Sequence, residues 1–288
     1  PNDAGRHHNL ADMLRAQRNF ADAEAEYREA IRLDPKFAAL PHLGEMLCQN
    51  LGDFERGIPA LREAVRLGPE NPNTQAALGN AYARTGRWSE AVAAFDRVRE
   101  LAPTNHDPWY VGAALDAGAG DLEGYRRTCQ EMLKRFGNTD DPMIAERTAK
   151  ACLLLPDALD AADSDRVQKL AERAVTGTEK NGYYRYFALA KGLADYRAGR
   201  HAEAVKWLER FAPNAGGTHV DATAFAVLAM AEHGRGRAED AGAALAKAQA
   251  IVAKMPDPAK GQRFEGDWND WLHAQVLCRE AEALLKNK

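Results

Sequence analysis

Between residues 78 and 103 the apolar positions recur at helical spacing, and large side chains alternate with very small ones. Leu78 and Tyr82 stand four apart and share one helix face. Gly79 beside them removes a side chain where another helix could approach. Gly86 predicts the end of that helix, because glycine takes the left-handed capping conformation at little steric cost. A second helix is expected from about Trp88, with Ala91, Phe95 and Val98 at intervals of three or four. Ala91 is the small residue expected where the two helices touch. Leu101 closes the stripe and Pro103 stops it. The unit is an αα-hairpin, and one hairpin cannot bury both of its faces.

The pattern repeats with a period of 34 residues. One period before Gly86, Phe95, Leu101 and Pro103 stand Gly52, Leu61, Leu67 and Pro69, and one period earlier again stand Arg18, Tyr27, Leu33 and Pro35. One period forward stand Gly120, Cys129 and Arg135, in a unit opened by Trp109. Four units follow: 4–37, 38–71, 72–105 and 106–139. In the second, Leu43-Gly44 sits one residue early, as though its first helix carried an insertion. Across 140–183 the register weakens to an irregular helical pair, roughly 142–155 and 163–177, around "PDALDAADS". Two further units occupy 184–255, one marked by Gly192, Tyr196, Gly199, Ala204 and Leu208, the next by Leu228, Ala229, Gly236, Ala241, Leu245 and Ala248. Residues 256–288 read as a loop and a terminal helix. Its apolar side carries Trp271, Leu272, Val276, Leu277 and Leu284, and its polar side Asp270, Arg279, Glu280 and Lys286.

This 34-residue helix-turn-helix, with L-G-x-x-Y, then A-x-x-x-F, then P, resembles the tetratricopeptide (TPR) repeat. Residues 72–105 carry the signature at Leu78, Gly79, Tyr82, Gly86, Ala91, Phe95 and Pro103, and residues 4–37 at Leu10, Ala11, Leu14, Phe20, Ala23, Tyr27, Ala30 and Pro35. The resemblance implies an all-α, right-handed superhelical solenoid of about seven helix pairs with a C-terminal capping helix. It further implies a non-catalytic scaffold that holds a protein or peptide in a concave groove lined by the first helices. The family's groove positions fall here on His8, Asp12 and Arg15; His42, Met46 and Gln49; Asn73 and Asn80, with Arg84 one place beyond; Tyr110; and Tyr186, Leu189, Leu193 and Tyr196. One TPR subgroup clamps a C-terminal carboxylate with cations across three repeats. The corresponding positions are His8, Asp12, Leu43, Asn73 and Ala77, so the cations are missing and Asp12 would repel the carboxylate. Residues 183–286 also resemble the TPR-bearing tails of planctomycete-type bacterial Ser/Thr kinases, which implies a regulatory or substrate-docking tail of a larger enzyme as the alternative. The chain itself has no kinase motif.

Composition narrows the partners. Of 288 residues, 38 are Lys or Arg and 42 Asp or Glu, a formal net charge of −4, which is no nucleic-acid footprint. No apolar run approaches the roughly 18–20 residues needed to span a bilayer. The four cysteines are far apart and sit in apolar patterns, where they are expected to be buried and reduced, as in a cytoplasmic protein. The chain starts on Pro1 rather than methionine and reads as part of a longer product; a monomer is the default expectation. No cofactor motif and no catalytic constellation is visible. His7 and His8 are adjacent, point to different sides of a helix and make a poor metal pair, so no metal is expected. Acidic clusters at 139–142 and 160–165 are expected to begin helices, where carboxylates meet the positive end of the dipole. A small-molecule pocket at the 140–183 junction is the remaining alternative.

Overall fold

The computed structural model describes residues 3–35, 39–156, 158–210 and 217–286, which are helical apart from turns and connections. The boundary expected at 37/38 and Asp157 of the "PDALDAADS" segment lie outside the described residues. Seven helix pairs follow one another: α1 (Ala4–Ala16) with α2 (Phe20–Leu33), α3 (Ala39–Gln49) with α4 (Phe54–Leu67), α5 (Pro72–Arg84) with α6 (Trp88–Leu101), α7 (Asp107–Ala119) with α8 (Leu122–Phe136), α9 (Pro142–Cys152) with α10 (Ala161–Val175), α11 (Tyr184–Arg197) with α12 (His201–Glu209), and α13 (His219–Gly234) with α14 (Ala238–Val252). A short 3-10 turn at Pro258–Lys260 precedes the last helix, α15 (Trp268–Lys286). None of these helices is long and apolar enough to cross a membrane.

The turn inside a pair has one recurrent geometry. A left-handed residue stands at Arg18, Gly52, Gly86, Gly120, Gly199 and Gly236, with φ between 62° and 75°. The next amide then reaches back to a carbonyl of the last helical turn, as in Asn19 N to Leu14 O (2.9 Å), Arg87 N to Tyr82 O (2.9 Å) and Arg237 N to Glu232 O (3.0 Å). This reach-back closure satisfies carbonyls that the helix end would otherwise leave unpaired. At Gly86 the absent side chain has a second use: a Cβ there would lie 2.5 Å from the Pro258 ring.

Small residues set the distance between paired helices. A Cβ on Gly44 would meet Leu61 at 2.7 Å, one on Gly79 the Phe95 ring at 3.0 Å, and one on Gly192 the Leu208 side chain at 2.9 Å. Ala11, Ala91 and Ala204 are fully buried in the same manner. Gly44, one residue early in the repeat, finds its partner seventeen residues on rather than sixteen, so the glycine-on-large-residue contact survives the shift. At the N-terminal end the core joins Ala11, Ala23, Tyr27 and Ala30 to Ala39, Leu43, Met46 and Leu47 of the next pair.

The chain forms two compact units. Unit 1 comprises Pro1–Pro103 with Asp257–Gly266, and unit 2 comprises Thr104–Pro256 with Asp267–Lys288. In unit 1, residues 257–266 strap the turns of the second and third pairs. Phe264 is buried, with its ring 5.8 Å from Trp88. Its backbone exchanges hydrogen bonds with Arg84: Phe264 N donates to Arg84 O (3.2 Å), and Arg84 Nε donates to Phe264 O (2.8 Å). The Arg263 guanidinium stacks over Phe54 at 5.1 Å.

In unit 2 the pair α9/α10 consists of two full helices, but its connection is long and, among the described residues, has no left-handed residue like those of the other six pairs. Asp141 caps α9 by accepting from the amides of Met143 and Ile144, and Asp160 caps α10 by accepting from that of Asp163, as the acidic clusters predict. Helix α15 packs against α13 and α14 and also against α7, so it does more than close the end of the stack. Leu272, Val276 and Leu277 are buried as expected and Trp268 is buried with them, while Trp271 and Leu284 are half-buried. Asp270 and Glu280 depart from the outward-facing expectation: both turn inward and pair with buried cations of the first helices. The reason is that α15 is covered along more than one face.

Arg18 occupies a conformation that costs a non-glycine residue about 1–2 kcal/mol, while glycine's extra chain entropy costs roughly 0.5–1 kcal/mol. Arg18→Gly is therefore expected to stabilise unit 1 by about 0.5–1 kcal/mol, whereas Gly86→Ala destabilises it. Urea denaturation of both variants beside the parent chain checks the opposite signs.

Candidate partner-binding faces

Within each unit the first helices of successive pairs lie side by side, and their shared side is where the expected groove residues fall. In unit 1, α1 and α3 bring together His8, Asp12 and His42. His8 and Asp12 are one helical turn apart, and His42 stands at the same repeat position as His8, one period on. His8 Nε2 lies 3.4 Å from Asp12 Oδ2, and His42 Nδ1 lies 3.1 Å from Asp12 Oδ1. The two rings are 4.6 Å apart between centroids. The Tyr27 hydroxyl, reaching from α2, donates to Asp12 Oδ1.

Charge states follow from this arrangement. Burial lowers the His8 pKa, against the opposing field of Asp12. Burial alone would raise the Asp12 carboxyl, but hydrogen bonds from Tyr27 and His42 outweigh it and hold the group below its ordinary value. The Tyr27 phenol is raised, first by burial and then by its bond to Asp12.

The rest of the expected set in unit 1 divides in two. Arg15 bridges to Asn50 (Nε to Oδ1, 3.2 Å) and Glu45 (3.8 Å) across the first pair boundary while keeping a quarter of its side chain exposed. Gln49 and Asn73 are exposed, and Asn80 is half-buried. Met46 is fully buried in the core and is no groove residue, because its side of α3 packs against α1 and α2. Arg84 is committed to the fold: besides Phe264 it donates to Cys48 O (3.2 Å), and its guanidinium lies over Phe54 at 5.0 Å. Burial lowers its pKa.

In unit 2 the equivalent side is occupied by α15. The Tyr110 hydroxyl donates to Asp270 Oδ1 (2.9 Å) and lies 3.2 Å from His273 Nδ1. Lys150 Nζ sits 3.1 Å from Glu146 Oε1 and 3.4 Å from Asp270 Oδ1, and stacks over the rings of Tyr110 and Tyr186. Further along, Arg197 pairs with Glu280 (Nη2 to Oε2, 2.7 Å) and donates to the carbonyls of Leu153 and Leu154 at 3.0 Å each. Tyr110, Leu189 and Leu193 are buried, and Tyr110 is bonded to α15, so they do not present a free face. Tyr186 and Tyr196 remain half-buried. Sequence reasoning missed Glu146, Lys150, Arg197 and His273. For Glu146, Lys150 and Arg197 the signal was present as charged residues at otherwise apolar positions of first helices, but that pattern does not reveal the partner on α15, where His273 lies.

Burial raises the Glu146 carboxyl and lowers the imidazoles of His273 and His219. Burial would also raise Asp270, but the Lys150 ammonium and the His273 ring beside it prevail and hold this carboxyl far below the usual range. For Lys150 the two carboxylates overcome the lowering effect of burial, so the ammonium is retained. A cavity of about 680 Å3 opens beside the 153–160 connection, lined by Tyr196, Arg197, His201, Met230, His233 and Leu284 among others. Its strongest polar groups, Arg197 and Glu280, are already spent on each other.

Comparison with known proteins agrees with this architecture. Tetratricopeptide repeat models match residues 4–37 and 49–106, and these segments are TPR repeats. Superkiller protein 3 of Schizosaccharomyces pombe is 37% identical over 87 residues, which is 29% of this chain and 6% of that protein. A pentatricopeptide repeat-containing protein of Arabidopsis thaliana is 28% identical over 95 residues, 33% of this chain and 14% of its own length. The chain thus spans a small part of both. Among solved structures, a tetratricopeptide repeat protein from Parabacteroides merdae aligns over 99% of both chains at 12% identity, with a TM-score of 0.58. The APC/C hetero-tetramer Cut9–Hcn1 aligns over 94% of this chain and 54% of that one at 13% identity, with a TM-score of 0.50. At such identities the likeness shows the fold, an all-helical TPR solenoid.

Lys150→Met leaves Asp270 and Glu146 buried without their cation, a loss expected to cost about 3–5 kcal/mol at neutral pH. Without the ammonium the Glu146 carboxyl rises further above its unfolded value, and Asp270, still bonded by Tyr110 and His273, loses part of what holds it below its own. The Glu146 part of the penalty should therefore be small below its unfolded value and grow as pH rises through its folded one. Denaturation of parent and variant at pH 4 and pH 7 tests this, with the larger gap expected at pH 7.

Proposed function

We propose that the chain is a non-catalytic interaction scaffold, and that the first-helix side of unit 1 receives an extended segment of a partner protein. TPR proteins in general serve as protein-interaction scaffolds, which is the coarser ground for this reading. The observation that carries it further is the contrast between the two units. In unit 2 a helix of the same chain fills the first-helix side, through aromatic, charged and apolar contacts. In unit 1 the same side keeps Gln49 and Asn73 exposed and leaves Asp12 and His42 about two-fifths exposed. Arg15, Asp12 and the amides offer both charge signs and hydrogen bonds, which suits a polar segment rather than a purely apolar helix. Arg84 and Tyr110 act in this reading as supports of the fold. A second reading is a regulatory or docking tail of a larger enzyme, as a kinase-tail likeness of residues 183–286 would imply. It is compatible with the first.

The test is selection of peptides from a displayed library, followed by titration of the best binders against the parent chain and an Arg15→Ala/Gln49→Ala/Asn73→Ala variant. The expected outcome is binding at least tenfold weaker in the variant, with its melting temperature unchanged. Equal binding by both proteins would move the interface off this face.

A further inference from the structure

His8, Asp12 and His42 form a cluster of a different kind from the exposed polar residues around them. Their nearest nitrogen and oxygen atoms all lie within 4.8 Å of one another. The arrangement follows from the repeat itself: a histidine at one position of the first helix recurs 34 residues later, and stacking of α1 on α3 makes the two rings neighbours. Asp12, one turn beyond His8, reaches both, at 3.4 Å and 3.1 Å. A four-coordinate zinc ion with bond lengths of about 2.0–2.2 Å holds its ligand atoms roughly 3.3–3.5 Å apart, so only small side-chain rotations are needed.

We propose that His8, Asp12 and His42 bind one divalent transition-metal ion of the zinc class, with a fourth coordination position open to solvent. Two imidazoles and one carboxylate suit zinc and its neighbours and are poorly suited to calcium or magnesium, which take oxygen ligands. The support behind the ligands is already built. Tyr27 is itself fully buried, and its hydroxyl donates to Asp12 and fixes the carboxylate. Ala11, Met46 and Leu47 seat both ligand-bearing helices on the core. Asp12 and His42 are about two-fifths exposed, which gives the ion an entry path and an open position. Bound there, the ion would clamp α1 to α3 and tie the first pair to the second.

The experiment titrates the full, metal-free chain with Zn2+ by calorimetry and with Co2+ by visible absorption. One equivalent should bind, Co2+ should give the intense bands of a tetrahedral N/O site, and Zn2+ should raise the melting temperature. His42→Ala and Asp12→Asn should abolish the bands and the shift. Tyr27→Phe should weaken binding by about 10–100-fold. His7→Ala, adjacent in sequence but paired with Glu26, should leave binding intact. If His42→Ala fails to fold, protection of His8 and His42 from diethylpyrocarbonate by Zn2+ in the parent chain provides the readout. Absence of saturable binding, binding undiminished in Asp12→Asn, or no protection of the two histidines would overturn the assignment.

Discussion

A stack of helix pairs buries each pair against its neighbours but leaves one long side, that of the first helices, with no pair of its own to cover it. In unit 2 this side carries Tyr110 and Lys150, and α15 covers both. Much else in unit 2 depends on that cover. Lys150 retains its charge in the interior because Asp270 of α15 joins Glu146 beside it, and Arg197 ties the end of α9 to Glu280. Buried ions of this kind contribute little net stability when complete and cost several kcal/mol when broken. They act less as cement than as a register, accepting α15 in one position along the groove.

Unit 1 leaves the equivalent side more open and spends its additional segment elsewhere. Residues 257–266 cross the inter-helix turns, where Phe264 packs on Trp88 and its backbone exchanges hydrogen bonds with the Arg84 side chain and carbonyl. The same repeat unit thus supports two kinds of closure, along its first helices in one unit and across its turns in the other.

The repeat logic was legible because it is local. Gly86 with φ 72°, Gly79 against Phe95 and the proline-marked helix ends express constraints within a few residues or one hairpin, and a period of 34 makes each visible several times. The candidate binding residues were less legible, because exposure is decided by elements far away in sequence. Tyr110 stands 160 residues before Asp270, and Arg84 stands 180 before Phe264. Nothing in the first-helix pattern announces those partners. Met46 was misplaced for another reason: a groove position inherited from a family pattern says which way a helix usually faces, and in α3, where Leu43-Gly44 is displaced by one, that direction turns into the core. The His8–His42 pairing, by contrast, could have been found by asking which residues recur one period apart rather than which are adjacent.

The strap also places a demand on synthesis. Pro103 ends the last helix pair of unit 1, yet the segment that completes this unit begins at Asp257. A ribosome moving at about 5–20 residues per second leaves α1–α6 waiting roughly 8–30 seconds for Phe264. During that interval Trp88 and the Arg84 carbonyl lack the contacts they make in the finished chain. Elongation rate thereby becomes a folding variable for the N-terminal part of the molecule, and a stall anywhere between the two segments would prolong a half-finished state rather than spare a finished domain.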